Sequence, residues 1–214
     1  MTTDKLYKIF SNIPKVKTER LLLRRITGND ASDIFEYSSI ECVSRYLLWY
    51  AHPSLDYTEA YVKKITEDYK AGRYYDWGIQ INTGEHKGKM IGTCGFTSFD
   101  IHNNSAEVGY VLNPSFWGLG YASEALEAVI KFGFEKLLLH RIEARFIIGN
   151  DKSLAVMQKC SMTFEGIRRS SMIVKGAYTD IGVCSILSNE YYKTKNQVKD
   201  LMIGDVYNVK NSDI

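Results

Sequence analysis

Two glycines and an alanine stand at the mouth of a helix-patterned segment in Phe116-Trp117-Gly118-Leu119-Gly120-Tyr121-Ala122-Ser123-Glu124-Ala125. The first turn of a helix presents backbone N–H groups without intrahelical partners and a partial positive charge, so an anion docks there when side chains stay out of the way. Glycine and alanine leave that space open, and the chemistry they suggest is the holding of a phosphate. Downstream, Ala122, Ala125, Leu126, Val129, Ile130 and Phe134 form one stripe while Glu124, Glu127 and Lys131 fall on the other side, the pattern of an amphipathic helix. Upstream, Ala106 to Leu112 alternates like a strand. Glu107 lies on that strand opposite the face of Ala106, Val108 and Tyr110, where a carboxylate can receive a proton.

Strand, glycine turn and helix also begin the dinucleotide and P-loop folds, and the spacing excludes both. The third glycine of a Rossmann fingerprint falls on Ser123, and no Gly-Lys-Ser/Thr closes the loop. The segment instead resembles the GNAT superfamily of acetyl-coenzyme A dependent N-acetyltransferases, whose pyrophosphate loop reads Gln/Arg-x-x-Gly-x-Gly/Ala. Trp117 to Ala122 lies on that pattern with Trp117 in place of Gln or Arg. The resemblance covers roughly residues 18 to 190. Thr18-Glu-Arg-Leu-Leu-Leu-Arg24 looks like the opening strand of the branch containing the ribosomal-protein N-terminal acetyltransferases. Ile91-Gly-Thr-Cys-Gly-Phe96, Ala106 to Leu112, His140-Arg-Ile-Glu-Ala-Arg145, Asn150-Asp-Lys-Ser153 and Phe164-Glu-Gly-Ile-Arg168 follow in that branch's order and spacing.

The resemblance implies acetyl-CoA as donor substrate, with Trp117, Gly118, Leu119, Gly120, Tyr121 and Ala122 around its pyrophosphate. It implies that Tyr110, Val111 and Leu112 splay from a neighbouring strand at a bulge and offer backbone groups to the pantetheine arm and thioester. Asn150 resembles the residue that hydrogen-bonds the cofactor arm. Gly109 suits a closely approached backbone, or else simple packing. Acetyl transfer to an amine needs a held thioester, a neutral nucleophile, a stabilised tetrahedral intermediate and a proton for the leaving thiolate. Glu107 is the candidate base, with an exposed structural carboxylate as the competing reading. Many members place a tyrosine seven residues after the motif asparagine; here that position is Met157, which donates no proton. Ser153 is the candidate replacement, and equally a candidate helix N-cap. Lys159-Cys160-Ser161-Met162 stands where Lys-x-Gly-Phe is usual, which predicts a shifted helix end because serine tolerates the left-handed region poorly.

The expected acceptor is a primary amine, either a protein N-terminal α-amine such as that of a ribosomal protein or a small amine. An α-amine of pKa near 8 is already about a tenth neutral at pH 7 and asks less of its base than a lysine side chain. The alternative is a non-catalytic acyl-CoA-binding sensor or scaffold. A third reading, a plain structural domain, makes the glycine turn mere packing.

The elements that must position these residues read as βααβββαβαββ, an α/β (α+β) fold with a mixed, mostly antiparallel sheet flanked by helices. A lead-in at residues 1–17, with at most one helical turn, precedes the domain at 18–190, and an extension occupies 191–214. Strands are expected at Leu21–Ile26, Tyr74–Asn82, Lys89–Phe99, Ser105–Leu112 and Arg141–Ile148, with a hairpin of Phe164–Val174 and Tyr178–Leu187 turning at Lys175-Gly176. Helices are expected after the Asn29-Asp30 cap, at Thr58–Lys70 and at Ser153–Lys159. Cys42 to Tyr57 is irregular and aromatic, a candidate acceptor wall in which Trp49, Tyr50 and His52 line a pocket or are simply buried. Trp77 reads as core.

At 214 residues the chain suffices for one domain. A net charge of +2 without a basic tract argues against nucleic acid as a partner. No signal-peptide core or apolar run of membrane-spanning length is seen, so no membrane partner is expected and the default location is cytoplasmic. Cys42, Cys94, Cys160 and Cys184 form no CxxC pair, which points to buried or free thiols and no metal. An apolar edge after Tyr178 would permit a homodimer.

Overall fold

The structure, a computed structural model, describes residues 2–195. Eight strands form one sheet in the order β1-β2-β3-β4-β5-β6-β8-β7. They are β1 (Val16–Lys17), β2 (Leu21–Arg24), β3 (Asp76–Ile81), β4 (Met90–Asp100), β5 (Ser105–Leu112), β6 (Arg141–Ile147), β7 (Thr163–Val174) and β8 (Ala177–Leu187). Helices α1 (Thr3–Phe10), α2 (Ala31–Ser38), α3 (Glu41–Ser44), α4 (Leu55–Lys70), α5 (Tyr121–Phe132) and α6 (Asp151–Lys159) flank it. From β2 onward this is the expected order, with α3 added inside the segment that reads as irregular. Trp77 is fully buried, as its strand position implies.

The lead-in is more than one turn. Thr2 caps α1, and its apolar side delivers Leu6 and Phe10 to the core, where the Phe10 ring meets Tyr75 at 4.9 Å and Trp77 at 5.7 Å. Two buried apolar residues, Leu6 and Phe10, dock it despite the surrounding lysines. Ser54, not a residue nearer Thr58, caps α4, so that helix starts three residues early. Asp30 does not cap α2. Its carboxylate takes two charge-assisted bonds from Arg24, at 2.6 and 2.8 Å, and one from the Thr27 amide. That pairing holds the carboxyl below its usual range although burial pushes it up.

Two features set the site. All sheet neighbours are antiparallel except β5 and β6, which pair in parallel from Ser105↔Arg141 to Val108↔Ala144 and no further. Beyond Val108, β5 keeps β4 as partner through Leu112 while β6 keeps β8, so a wedge opens between the two central strands. The expected splay is therefore present, but the bulge is not in β5. It lies in β4, where Thr97 is the extra residue between Phe96↔Val108 and Ser98↔Glu107.

The second feature is the end of α6. Ser161 sits at φ 62°, its amide donates to the Gln158 carbonyl at 3.0 Å, and the Met162 amide donates to the Met157 carbonyl at 3.1 Å. These are the two bonds of a Schellman cap, with buried Met162 supplying the apolar contact. The helix end is not shifted: serine accepts the left-handed conformation that glycine would adopt freely, because two backbone bonds and one buried side chain hold it there.

The β7–β8 hairpin turns at Lys175-Gly176, both at positive φ, as the sequence implies. Its exposed edge is β7, carrying Phe164, Ile167 and Ile173, rather than the strand after Tyr178, since β8 is paired on both sides. Residues 188–195 are helical, and Tyr191 packs on Phe134 at 4.9 Å with its hydroxyl on Glu135. The remainder of the 191–214 extension lies outside the described residues.

The Schellman geometry yields a prediction. Ser161→Gly removes the left-handed penalty and is offset by glycine's larger unfolded-state entropy, leaving a gain of roughly 0.5–1 kcal/mol. Thermal unfolding is expected to shift up by about 2 °C; a lower midpoint contradicts the assignment of strain to Ser161.

Candidate active site

A cleft of about 860 Å³ runs along the wedge between β5 and β6. It is bounded by the 117–122 loop, the free end of β5, the start of α6 and the 42–49 segment. Each wall follows from local sequence. Asn113 closes β5: its Oδ1 accepts the Ser115 amide and its amide group donates to Glu36, which starts the turn Pro114–Phe116. The Trp117 indole N–H donates to the Leu112 carbonyl at 2.8 Å, tying the loop to the strand end as its position at the loop base suggests. Gly118 and Gly120 follow at φ 75° and 81°, values that residues with a Cβ rarely adopt. Around Gly118 nothing lies within 4 Å of where a Cβ would be.

Helix α5 begins at Tyr121 with no side-chain cap on its first-turn amides. The acidic residue of that turn, Glu124, faces away: its carboxylate takes bonds from the Thr18 hydroxyl, the Arg20 amide and the Arg20 guanidinium. Positive charge at the cleft mouth comes from Lys152, whose ammonium lies 4.6 Å from the Trp117 ring centroid, and from Arg20 and Lys159, whose nitrogens lie 3.4 and 3.8 Å from where a Cβ on Gly120 would be. The cation absent at position 117 is thus supplied from α6 and held by cation–π attraction to the replacing residue. Uncapped amides, two left-handed glycines and a nearby ammonium are the donor set a diphosphate requires.

The arm of the ligand would run along β5. Gly109 to Leu112 have a ladder partner on the β4 side only, so alternate backbone groups face the wedge. Asn150 caps α6 through its Oδ1, which accepts the Ser153 amide at 3.3 Å, and it also lines the cleft. Ser153 is consequently the third residue of the helix and not its cap. The Ser153 hydroxyl lies 2.9 Å from the Tyr110 hydroxyl, which also reaches the Ser153 carbonyl at 2.9 Å. Burial pushes the Tyr110 hydroxyl pKa up, so it stays protonated. Sequence reasoning used only the backbone of Tyr110; that its ring bridges to α6 required the tertiary placement of two segments 43 residues apart.

Glu107 lines the cleft from the other face of β5. Burial raises its pKa above the usual carboxylate range, and Glu143 pushes the same way, while Arg145 opposes at 3.4 Å. Arg145 also pairs with Glu143 at 3.0 Å, so its charge is shared. The 42–49 side of the cleft is lined by Cys42, Tyr46, Leu47, Leu48 and Trp49, with Tyr61 of α4. Tyr50 is exposed instead, under the Lys175 ammonium. His52 is buried and structural: its Nδ1 sits between the Ser38 and Thr58 hydroxyls, and burial lowers its pKa. Asp76, inside the strand expected at Tyr74–Asn82, lines the same cleft. Of the cysteines, Cys42 is exposed and the other three are buried, none in a disulfide.

A mixed sheet wedged open beside a glycine loop and an uncapped helix defines the class. Residues 20–163 match the Acetyltransferase (GNAT) domain family, and the chain belongs to it. It is an N-acetyltransferase that takes acetyl-CoA as acetyl donor. The N-acetyltransferase p20 of Bacillus licheniformis is 33% identical over 174 residues, covering 81% of this chain and 96% of that protein. An acetyltransferase of the GNAT family from Bacillus anthracis superposes with a TM-score of 0.73 at 29% identity, over 83% of this chain and all of that one. More distant are the [ribosomal protein uS5]-alanine N-acetyltransferase of Escherichia coli, 25% identical over 79% of this chain and 90% of its own, and the spermidine N(1)-acetyltransferase of Vibrio cholerae, 24% identical over 80% and 95%. No helix among the described residues is long and apolar enough to cross a membrane.

Two substitutions test the donor end by calorimetric titration with acetyl-CoA. Gly120→Val, which puts a branched side chain at a left-handed position in the loop, is expected to abolish measurable binding. Lys152→Ala is expected to weaken it about three- to tenfold, the loss of one screened ionic contact. Wild-type affinity in both would contradict the loop as the diphosphate cradle.

Proposed function

We propose that this cleft acetylates a primary amine by direct attack on the thioester, with Glu107 receiving the proton from nitrogen and Ser153, backed by Tyr110, returning one to sulfur. The observation that carries the reading is the position of these groups about the wedge. Glu107 and Tyr110 project from opposite faces of one strand, yet both line the same cleft, because the cleft passes through the gap where β6 has turned away. A donor reaching through from the loop side therefore meets an acceptor arriving from the 42–49 side.

The balance is one proton off nitrogen as the C–N bond forms and one proton onto sulfur as the C–S bond breaks. Glu107 suits the first step because burial lifts its basicity toward neutral pH. Ser153 suits the second, since its hydroxyl proton can be replaced from the Tyr110 hydroxyl at 2.9 Å. The backbone of Tyr110 to Leu112 supplies amide donors for the developing oxyanion.

The non-catalytic alternative rests on Met157 and on Ser161-Met162, where this chain departs from the family pattern. Met157 is buried and donates no proton, but a tyrosine hydroxyl is nonetheless at hand from β5, and the helix end is intact; both favour turnover. The acceptor is read as a protein N-terminal or small amine, the two kinds named for the E. coli and V. cholerae relatives.

Thiol release measured across a panel of amines and N-terminal peptides tests the reading; binding of acetyl-CoA with no release for any acceptor would favour the sensor. With an active acceptor, wild-type kcat/KM is expected to fall as pH drops through the raised Glu107 pKa, where the carboxylate becomes protonated. Glu107→Gln should lower kcat by about a hundredfold and remove that acid limb. An unchanged pH profile would show that another group is the base. Ser153→Ala should lower kcat about tenfold or more with little change in acetyl-CoA affinity.

A further inference from the structure

Asp76 has no part in the mechanism above, yet its carboxyl is the least satisfied polar group near the site. Its Oδ1 is enclosed and has no hydrogen-bond partner, while the residue lines the cleft. An enclosed, unpaired carboxylate oxygen is costlier than an unmade neutral hydrogen bond, so its persistence points to a missing partner.

The sheet register says where that partner would sit. Asp76 pairs with Gly95, and Gly95 with Gly109, so a carboxyl and two glycines make one row across β3, β4 and β5. Residues directly opposite share a face, and Glu107 lies two positions from Gly109 on that face. A Cβ on Gly95 would fall 2.5 Å from Asp76 Oδ1. The β3 backbone at Tyr75 and Asp76 and the Asp76 carboxyl therefore lie against the bare backbone of β4 at Gly95, while the Thr97 methyl, 2.9 Å from where a Cβ on Gly109 would be, stands between Asp76 and Glu107. The span from Asp76 to Gly109 is two strand spacings, about 10 Å.

The surroundings supply no counter-charge. Among the described residues Asp76 forms no salt bridge, and the groups coupled to it are the hydroxyls of Tyr37 (α2), Tyr61 and Tyr69 (α4) and Tyr74, with the Cys94 thiol of β4. The Tyr69 hydroxyl bonds the Asp76 backbone carbonyl, not its carboxyl. Burial pushes the carboxyl pKa up to about 7 against the opposing pull of the Tyr74 hydroxyl. Of the aromatic side chains lining the cleft, Tyr61 is the one coupled to Asp76, with Tyr46 and Trp49 elsewhere on the lining.

Resting on the transferase reading, we infer that Asp76 anchors the acceptor by binding a second, cationic nitrogen of it, making the acceptor a small diamine whose other nitrogen reacts beside Glu107. A protonated amine gives the buried oxygen a charge-assisted bond and faces aromatic rings that favour a cation. Asp76 is thus a specificity residue that acts on binding and not on the bond-making step.

The test compares 1,4-diaminobutane with butylamine, equal in chain length and different only in the second nitrogen, by thiol release with wild type, Asp76→Asn and Asp76→Glu. Wild type is expected to favour the diamine at least tenfold in kcat/KM. Asp76→Asn should erase that preference through KM, leaving butylamine kcat and acetyl-CoA affinity unchanged, and Asp76→Glu should restore part of it. Equal wild-type use of the two amines overturns the inference without any variant being needed. So does an equal loss for both amines in Asp76→Asn, which would make the residue structural, and so does preference for an N-terminal peptide that Asp76→Asn leaves intact. Absence of thiol release with every amine and peptide tried would instead remove the transferase reading, and this inference with it.

Discussion

The constraint on which the molecule depends is the parting of β5 from β6 after four paired residues. A parallel ladder left half made strands backbone groups in the centre of a sheet, where unpaired amides and carbonyls are costly. The fold accepts that cost at one place and secures the strands on their outer sides, β5 by β4 and β6 by β8. A ligand with an extended, amide-bearing arm is what such a wedge is suited to complete. Every other part of the site is arranged about its two ends: the glycine loop and α5 where the strands are farthest apart, and Glu107 near the point where they still meet.

The same wedge explains why groups on opposite faces of one strand share a cleft. In an unbroken sheet Glu107 and Tyr110 would be separated by the sheet itself. Here the gap joins the two sides, so proton removal and proton return can be handled from different layers of the structure. The loop-side layer contains α6, whose Schellman cap at Ser161 fixes the helix carrying Ser153 and Lys152. The other layer contains α4 and the 42–49 segment, with their aromatic side chains.

What was legible in the sequence follows from which features are local. Gly118 and Gly120 encode backbone conformation directly, and the stripe from Ala122 to Phe134 encodes a buried face, so loop and helix could be read from residue types alone. The succession of elements from β2 onward and the Lys175-Gly176 turn were legible for the same reason. Helix α1 was obscured because Leu6 and Phe10 are diluted by lysines, and its stability comes from aromatic contacts with β3 and β4 that no local pattern reports. The bulge went to β4 and not β5 because bulge position is a property of a pair of strands. Lys152 over Trp117, Tyr110 against Ser153 and Asp76 over Gly95 are all meetings of distant segments, and each residue alone reads as ordinary. The Ser161 expectation failed because propensity was weighed without the two backbone bonds that hold it.

Amide hydrogen exchange with and without acetyl-CoA tests the central claim most directly, because it reads the backbone groups that the wedge leaves open. The account predicts new protection concentrated at residues 109–112 and 118–122, with β6 and β8 unchanged. Protection that spared both of those stretches while acetyl-CoA was bound would mean that the donor lies elsewhere, and that the parting of β5 from β6 is not what holds it.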